Sequence, residues 1–573
     1  MKRSQRNSNL IRVNGAEALI DTLKKLGVDT SFGIVGSSLL EVFDLLPKAG
    51  IRYFGARHEQ FAGHMADAYS RITGKPSLCI LQNGAGLTNI VTASATAYYA
   101  HSPVIFLSGA PMSTTVGRNT YQEADHVAIM KPVTKMSERP LKPGRIVETV
   151  KRAYRYAITG VPGPVHIDIL RDFLYEMVDY DMSKPELVSG VRVVEPDIIN
   201  KIAKLIKNSK NPIILAGGGV VTSDSSDIVM QLSRNFGIPV CSTYMHNDVI
   251  DNDYDLMLGA VGRGGSKAAM NVMKRADLIL ALGTRLDEFT FIPYYDFKYD
   301  PEDAIWIQVN CDPDTLDRSR RVDYALMTDV KQFTSSLIAA LERIGMEKNT
   351  AAEKTAINEK LQYKKELLER YRRTSGKLTA PEVYIALNEF LPRDFIAAVD
   401  IGATPAYAYS LLNYHAKKSL IATGPFAGVG FSIPAALGAK IASPKRSVYA
   451  FLGDGAFTME LPALITSKEY DIDINVVVFD NEAWGAEKSN QKYFYDGEYV
   501  GTNLKNPDLA KVVRSIGGNA TVVDERSKLK DAIREAFGTT GLNVLIVKID
   551  PEDLPAPARK DALKKAQRGL FLE

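Results

Sequence analysis

Short apolar runs, each closed by a glycine or a polar turn, alternate along this chain with stretches whose apolar positions recur every three or four residues. That alternation predicts strands and helices in turn, and so parallel sheets with helices on both faces. Residues 12–186 carry the strand-like runs SLCILQNG (77–84), PVIFLSG (103–109) and PVHIDIL (164–170). Residues 192–345 carry PIILAGGG (212–219), IPVCST (238–243), LILALG (278–283) and AIWIQVN (304–310). Within 346–377 the Lys/Glu-rich stretch EKTAINEKLQYKKELLERYRR reads as a linker helix with a solvated face. Residues 378–555 carry FIAAVDIG (395–402), SVYAFLGDG (447–455), INVVVF (474–479) and NVLIVKI (543–549), and a short charged tail fills 556–573. The expected fold class is α/β, with three doubly wound parallel-sheet domains.

Composition narrows the function classes. With 573 residues, one hydrophobic core is too few. The 70 basic and 67 acidic residues leave a net charge of +3, which gives no case for a nucleic-acid or membrane partner. No run approaches the ~20 apolar residues of a membrane span. The opening MKRSQRNSNLIR has no apolar centre, so it reads as a frayed tail and not as a secretory signal. Cys79, Cys241 and Cys311 are far apart in apolar surroundings and read as small buried hydrophobes of a reducing compartment. A cytoplasmic protein is expected. Neither a Ser, Cys or His triad nor a His/Cys metal cluster is visible.

In open parallel sheets, ligands sit outside the carboxyl ends of strands. The run SVYAFL ends in GDG (453–455), a helical pattern follows, and INVVVF ends in DN (480–481). A strand, a crossover helix and a second parallel strand bring Asp454 and Asn481 side by side, although they are 27 positions apart. A carboxylate and an amide oxygen suit Mg²⁺, which takes one or two protein groups along with phosphate oxygens. Gly453 and Gly455 allow close approach of a phosphate, and a helix opening at Ala456 would offer it unpaired N–H groups.

GDG followed at this distance by an Asn resembles the thiamine-diphosphate motif of the acetolactate synthase and pyruvate decarboxylase superfamily. The resemblance implies Mg²⁺ held by Asp454, Asn481 and the carbonyl of Ala483. Where that family often has Asn-Asn, this chain has Asp480-Asn481. Residues 53–75, YFGARHEQFAGHMADAYSRITGK, resemble the superfamily's glutamate segment almost position for position. They imply that Glu59, at a strand-to-helix junction, is the carboxylate set against the cofactor's aminopyrimidine ring. A carboxylate in an apolar pocket there can share a proton with the ring. QNGAGLTN (82–89) resembles a Gly-rich loop near the active centre, and YQEAD (121–125) implies that Gln122 points at the reacting carbon. GPFAGVGFSIPAALGA (424–439) resembles the segment that clasps the aminopyrimidine, with Val429 as the wedge and the Ala427 carbonyl taking the ring amine. The three blocks are then pyrimidine-binding, middle and diphosphate-binding. The resemblance also implies a homodimer or homotetramer whose active sites lie between subunits. In the middle block, LAGGGV and LALGTRLDEF resemble an FAD-binding domain, while a plain α/β packing turn accounts for them equally well. FAD is left open.

Substrate class is read from DNEAWGAEKSNQKYFY (480–495). Acetolactate synthases carry a Trp in the register of Asn490, and Glu487-Lys488 replaces an apolar-basic pair. The stretch is more similar to that of sulfoacetaldehyde acetyltransferases, as are residues 32–53, YYAHSP (98–103) and RKDAL (559–563). Ala85, Tyr121 and Val429 depart from that pattern. The resemblance implies conversion of sulfoacetaldehyde and phosphate to acetyl phosphate and sulfite, with 2-keto-acid carboligation or decarboxylation as the alternative. Both substrates are anions, which makes Lys488, Asn490, Arg118 and Arg263 candidate partners. His101 is a candidate donor to the intermediate or the leaving group.

Overall fold

The structure is a computed structural model that describes residues 10–183, 193–262, 264–291, 301, 303–371 and 376–552. Three six-stranded parallel sheets, each flanked by helices, carry the fold. The first runs, edge to edge, Arg52–Gly55, Thr30–Gly33, Ser77–Leu81, Val104–Ala110, Val165–Leu170 and Met136–Glu138. In chain order that is 2-1-3-4-6-5. The third sheet repeats the same order with Leu420–Ala422, Ile396–Val399, Val448–Gly453, Ile474–Asp480, Leu542–Lys548 and Asn519–Val523. The middle sheet differs. Met257–Ala260, Val240–Ser242, Pro212–Ala216, Leu278–Leu282, Ile305–Asn310 and Tyr324–Met327 run 3-2-1-4-5-6.

Strand order fixes where ligands can enter, because helices part at the point where it reverses. In the first and third sheets that point lies between strands 1 and 3 of each. The GDG turn follows strand 3 of the third sheet, and the Gln82-Asn83-Gly84 turn follows strand 3 of the first. Both motifs therefore sit at switch points.

Packing divides the chain into two compact units. One holds residues 1–189, 423–450 and 459–474; the other holds 190–422, 451–458 and 475–573. In the first, helix Glu59–Thr73 packs along helix Ser432–Ala442, and both present small residues. A Cβ added to Gly438 would lie 2.1 Å from the Met65 carbonyl oxygen, so the helices meet only because that position is glycine. In the second unit, helix Thr350–Tyr371 lies on helix Lys267–Lys274, pinned by Arg275–Glu359 (2.6 Å) and Lys267–Glu366 (3.3 Å). Its Ala352 and Ala356 are buried, so the stretch read as a linker has a docked face besides its solvated one.

Two expectations need correction or restriction. Cys79 and Cys241 are buried, and burial pushes both thiols up, but Cys311 is exposed because it falls just past the end of strand Ile305–Asn310. The N-terminal tail before residue 10 and the tail 556–573 lie outside the described residues. In the middle block, a Cβ at Gly217 or Gly219 would lie 2.6 Å from backbone atoms of Gly283. Strand-to-helix packing thus accounts for this glycine cluster without reference to a ligand. Among the described residues, no helix is long and apolar enough to cross a membrane.

Candidate active site

In the first unit, Glu59 is the first residue of helix Glu59–Thr73, which His58 caps by accepting the Gln60 N–H at its Nδ1 (3.1 Å). Glu59 is half-buried, and its Oε2 accepts from Asn89 Nδ2 at 2.9 Å. Gly86 leaves room above it: a Cβ there would stand 3.3 Å from Glu59 Oε1. The loop 82–89 thus supplies both the donor and the space beside this carboxylate. Gln82 fastens that loop to the neighbouring switch-point turn, its Oε1 accepting from the Ser38 N–H (3.1 Å) and hydroxyl (2.8 Å). It also reaches Gln122, donating from Nε2 to Oε1 at 2.8 Å. Asn83 donates to the Gln122 carbonyl (3.3 Å), and Gln122 has φ 57°, a left-handed conformation that costs a non-glycine residue about 1 kcal/mol or more. Ala427 and His101 also have φ 57°. Gln60 Nε2 donates to the Val429 carbonyl of the same chain at 3.5 Å, which brings the 424–439 segment to the start of the glutamate helix.

Behind the loop lies a buried network that sequence reasoning missed. The Gly84 N–H donates to His126 Nε2 (2.9 Å), so the ring's proton sits on Nδ1, facing Asp168 Oδ1 (2.9 Å). Asp168 also accepts from Arg139 Nε (2.8 Å) and from Ser108 (2.5 Å). Burial alone would raise the Asp168 carboxyl. The hydrogen bond from His126, with the Arg139 guanidinium beside it, holds it below the ordinary carboxylate range. These partners are 29 to 60 positions apart, and a lone His after YQEAD gave no signal of them. His126→Leu is expected to lower kcat/KM by about 10- to 100-fold by releasing the Gly84 turn. His126→Gln, which can accept from Gly84 and donate to Asp168, should stay within about threefold of wild type. Steady-state kinetics on the two variants, with near-UV circular dichroism to verify folding, check this.

The second unit holds the other half of the constellation. Asp454 and Asn481 follow neighbouring strands of the third sheet and are both buried. The helix begins at Asp454, two residues earlier than expected, which puts the carboxylate in its first turn. Burial pushes the Asp454 carboxyl up to about 6, against the bond from Asn506 and with the Asp480 charge adding to the rise. Oδ1 of Asp454 is buried and meets no hydrogen-bond donor among the described residues. Ala483 pairs with Asn503 across an antiparallel bridge whose bonds run Trp484 N–H to the Thr502 carbonyl (2.9 Å) and Leu504 N–H to the Glu482 carbonyl (2.7 Å). That pattern turns the Ala483 carbonyl away from the 502–504 segment. An orphaned carboxylate oxygen, a buried amide and a free-facing carbonyl are hard oxygen donors, and they fit a Mg²⁺ bound together with phosphate oxygens.

Gly455 has a reason the sequence did not disclose. A Cβ there would lie 2.6 Å from the Trp484 ring, so the GDG turn and the tryptophan pack in direct contact. Gly453 has no such tight neighbour, and Ala456 is buried within the helix. The residues after Trp484 form helix Gly485–Phe494. Gln491 ties it to the following loop by bonds to both Val500 backbone groups and to the Thr502 hydroxyl. On this helix Lys488 is buried, paired with Glu552 at 3.3 Å and 5.1 Å from the Tyr499 ring centre. Asn490 is half-buried and donates to Glu487 (3.3 Å). Arg118 lies on an exposed loop of the first unit, and Arg263 lies outside the described residues.

Family models match three segments of the chain: the thiamine pyrophosphate enzyme N-terminal TPP-binding domain over residues 13–129, the central domain over 199–337 and the C-terminal TPP-binding domain over 400–547. A probable sulfoacetaldehyde acetyltransferase of Rhizobium meliloti (strain 1021) is 33% identical, covering 97% of both chains. A sulfoacetaldehyde acetyltransferase of Rhodobacter capsulatus is also 33% identical over 97% of both. A probable acetolactate synthase large subunit of Methanocaldococcus jannaschii is 33% identical as well, over 95% of this chain and 93% of its own. With both TPP-binding domains matched around the Glu59 and Asp454 constellations, the chain belongs to the thiamine pyrophosphate enzyme family.

Proposed function

We propose that this enzyme is a thiamine-diphosphate-dependent sulfoacetaldehyde acetyltransferase, converting sulfoacetaldehyde and phosphate to acetyl phosphate and sulfite. The observation that carries the reading is Lys488. A buried ammonium, paired with Glu552 at 3.3 Å, stands one helical turn beyond the tryptophan that packs on the GDG turn, and an anionic substrate there would compete with that carboxylate for it. Similarity to several sulfoacetaldehyde acetyltransferases supports it. Equal identity to an acetolactate synthase subunit favours 2-keto-acid carboligation as the second reading.

Thiamine diphosphate, when bound, supplies a nucleophilic carbon and a sink for the electron pair. Mg²⁺ would be held by Asp454, Asn481 and the Ala483 carbonyl. Glu59 takes and returns a proton at its carboxylate, oriented by Asn89. Ala427 and Val429 would hold the pyrimidine ring, and Gln122, fastened by Gln82, would lie toward the reacting carbon. Lys488, with Asn490, neutralises the sulfonate or the phosphate, and His101 donates to the leaving group. Arg118 and Arg263 are further candidates for that anion. Overall, the carbon–sulfur bond breaks with its electron pair leaving on sulfite. The methylene carbon gains a proton, and the former aldehyde carbon, now at the acyl level, is taken by a phosphate oxygen. The redox change is internal, so no outside oxidant is needed.

We assign the protein to the cytoplasm and to a homodimer or homotetramer. Exposed aromatic surface supports the assembly: Tyr98, Tyr99 and Phe426 are all more than a third exposed, with Tyr99 stacked on Phe426 at 5.9 Å. Release of sulfite from sulfoacetaldehyde, dependent on phosphate and thiamine diphosphate, tests the assignment.

A further inference from the structure

The departure at Asp480 places a second buried carboxylate beside Asp454. Asp480 ends strand Ile474–Asp480 and is 2% exposed, and Asp454 is fully buried. Two like charges so placed repel, and both could reach for one cation. The Asn506 side chain bridges them. Asn506 Nδ2 donates to Asp454 Oδ2 at 2.6 Å and to Asp480 Oδ1 at 3.2 Å, one N–H for each carboxylate. The remaining Asp480 oxygen accepts from Lys548 at 2.5 Å, across from the end of the neighbouring strand. Among the described residues, every side-chain oxygen of the pair is thereby engaged except Asp454 Oδ1, the buried atom that meets no donor.

We propose that Asn506 is a positioning residue for the metal: its amide fixes Asp454 Oδ2 so that Oδ1 alone faces the cation, while Lys548 holds Asp480 aside as a non-ligand. This rests on the reading of Asp454 as a divalent-cation ligand. Hydrogen-bonded outer partners orient ligating carboxylates, and their loss weakens metal binding without removing a ligand. Asn506 sits half-buried in NLKNPD, where the sequence reads only as a turn.

The test is Mn²⁺ binding to the full-length, chelator-stripped protein with thiamine diphosphate present, read from the free-Mn²⁺ electron paramagnetic resonance signal. Asn506→Ala is expected to weaken Mn²⁺ by about 10- to 100-fold. Turnover at saturating Mn²⁺ should stay within about threefold of wild type, because the ligands remain. A variant that binds Mn²⁺ within twofold of wild type would overturn the proposal, as would lost turnover that saturating metal does not restore. If Asn506→Ala fails to fold, Asn506→Gln keeps the amide one methylene out of register and must show the same weakening on a smaller scale. Wild type that binds no Mn²⁺ at all would instead refute the metal reading itself.

Discussion

Glu59→Gln is expected to lower kcat by about 10²- to 10⁴-fold, the usual worth of a positioned acid–base group. The geometry makes this a clean substitution. Asn89 donates to Glu59 at 2.9 Å, and the glutamine oxygen can accept the same bond. The side chain keeps its length in the space above Gly86, and the helix keeps its His58 cap. What the variant loses is the ability to exchange a proton at that carboxylate. Folding, judged by melting temperature, and cofactor affinity, judged by quenching of tryptophan fluorescence, should therefore change little. Unchanged turnover would remove Glu59 from the mechanism.

Asp454→Asn is expected to abolish turnover and, at the same time, to stabilise the metal-free protein near neutral pH. The folded carboxyl sits at about 6, against an ordinary value of 3.8. Below about 4 both folded and unfolded chains carry the proton. Between about 4 and 6 the unfolded chain ionises first, so the wild-type protein without metal loses stability as pH rises through that window. At roughly 1.4 kcal/mol per unit, the loss approaches 3 kcal/mol at neutral pH, an upper bound for one buried group. Asparagine carries no charge and escapes it. Melting of chelator-treated proteins should show the variant's stability advantage over wild type shrinking from pH 7.5 to 5. Equal pH dependence in both would show that burial does not raise the Asp454 carboxyl. Mixing this variant with Glu59→Gln also reports on assembly. If each site draws Glu59 and Asp454 from different copies, random exchange restores about a quarter of wild-type activity, since only mixed dimers hold an intact site. No recovery would assign both groups to one chain.

Much of this was legible in the residues because it is local or periodic. Runs such as SVYAFL and INVVVF announce their strands, and a crossover helix dictates that Asp454 and Asn481 emerge on neighbouring ones. The shared strand order of the first and third sheets was not legible, since it depends on which strand is inserted beside which. Nor was the grouping of residues 423–450 and 459–474 with the first sheet, which interleaves the chain between units. The reason for Gly455 was hidden in a contact with Trp484, 29 positions on. Asn506, Lys548, His126 and Asp168 act through partners 26 to 68 positions away, and singly each has an ordinary explanation: a turn, a strand end, a core histidine, a charged residue in a strand-like run. Glu59 was expected in an apolar pocket, whereas within its own unit it is half-buried against an amide.

The central claim concerns what the site does to a two-carbon sulfonate. The most direct measurement incubates the purified holoenzyme, with Mg²⁺ and thiamine diphosphate, separately with sulfoacetaldehyde plus phosphate and with pyruvate. Sulfite and acetyl phosphate are expected in equal amounts from the first, and little acetolactate from the second. Acetolactate from pyruvate, with no sulfite from sulfoacetaldehyde, would contradict that claim.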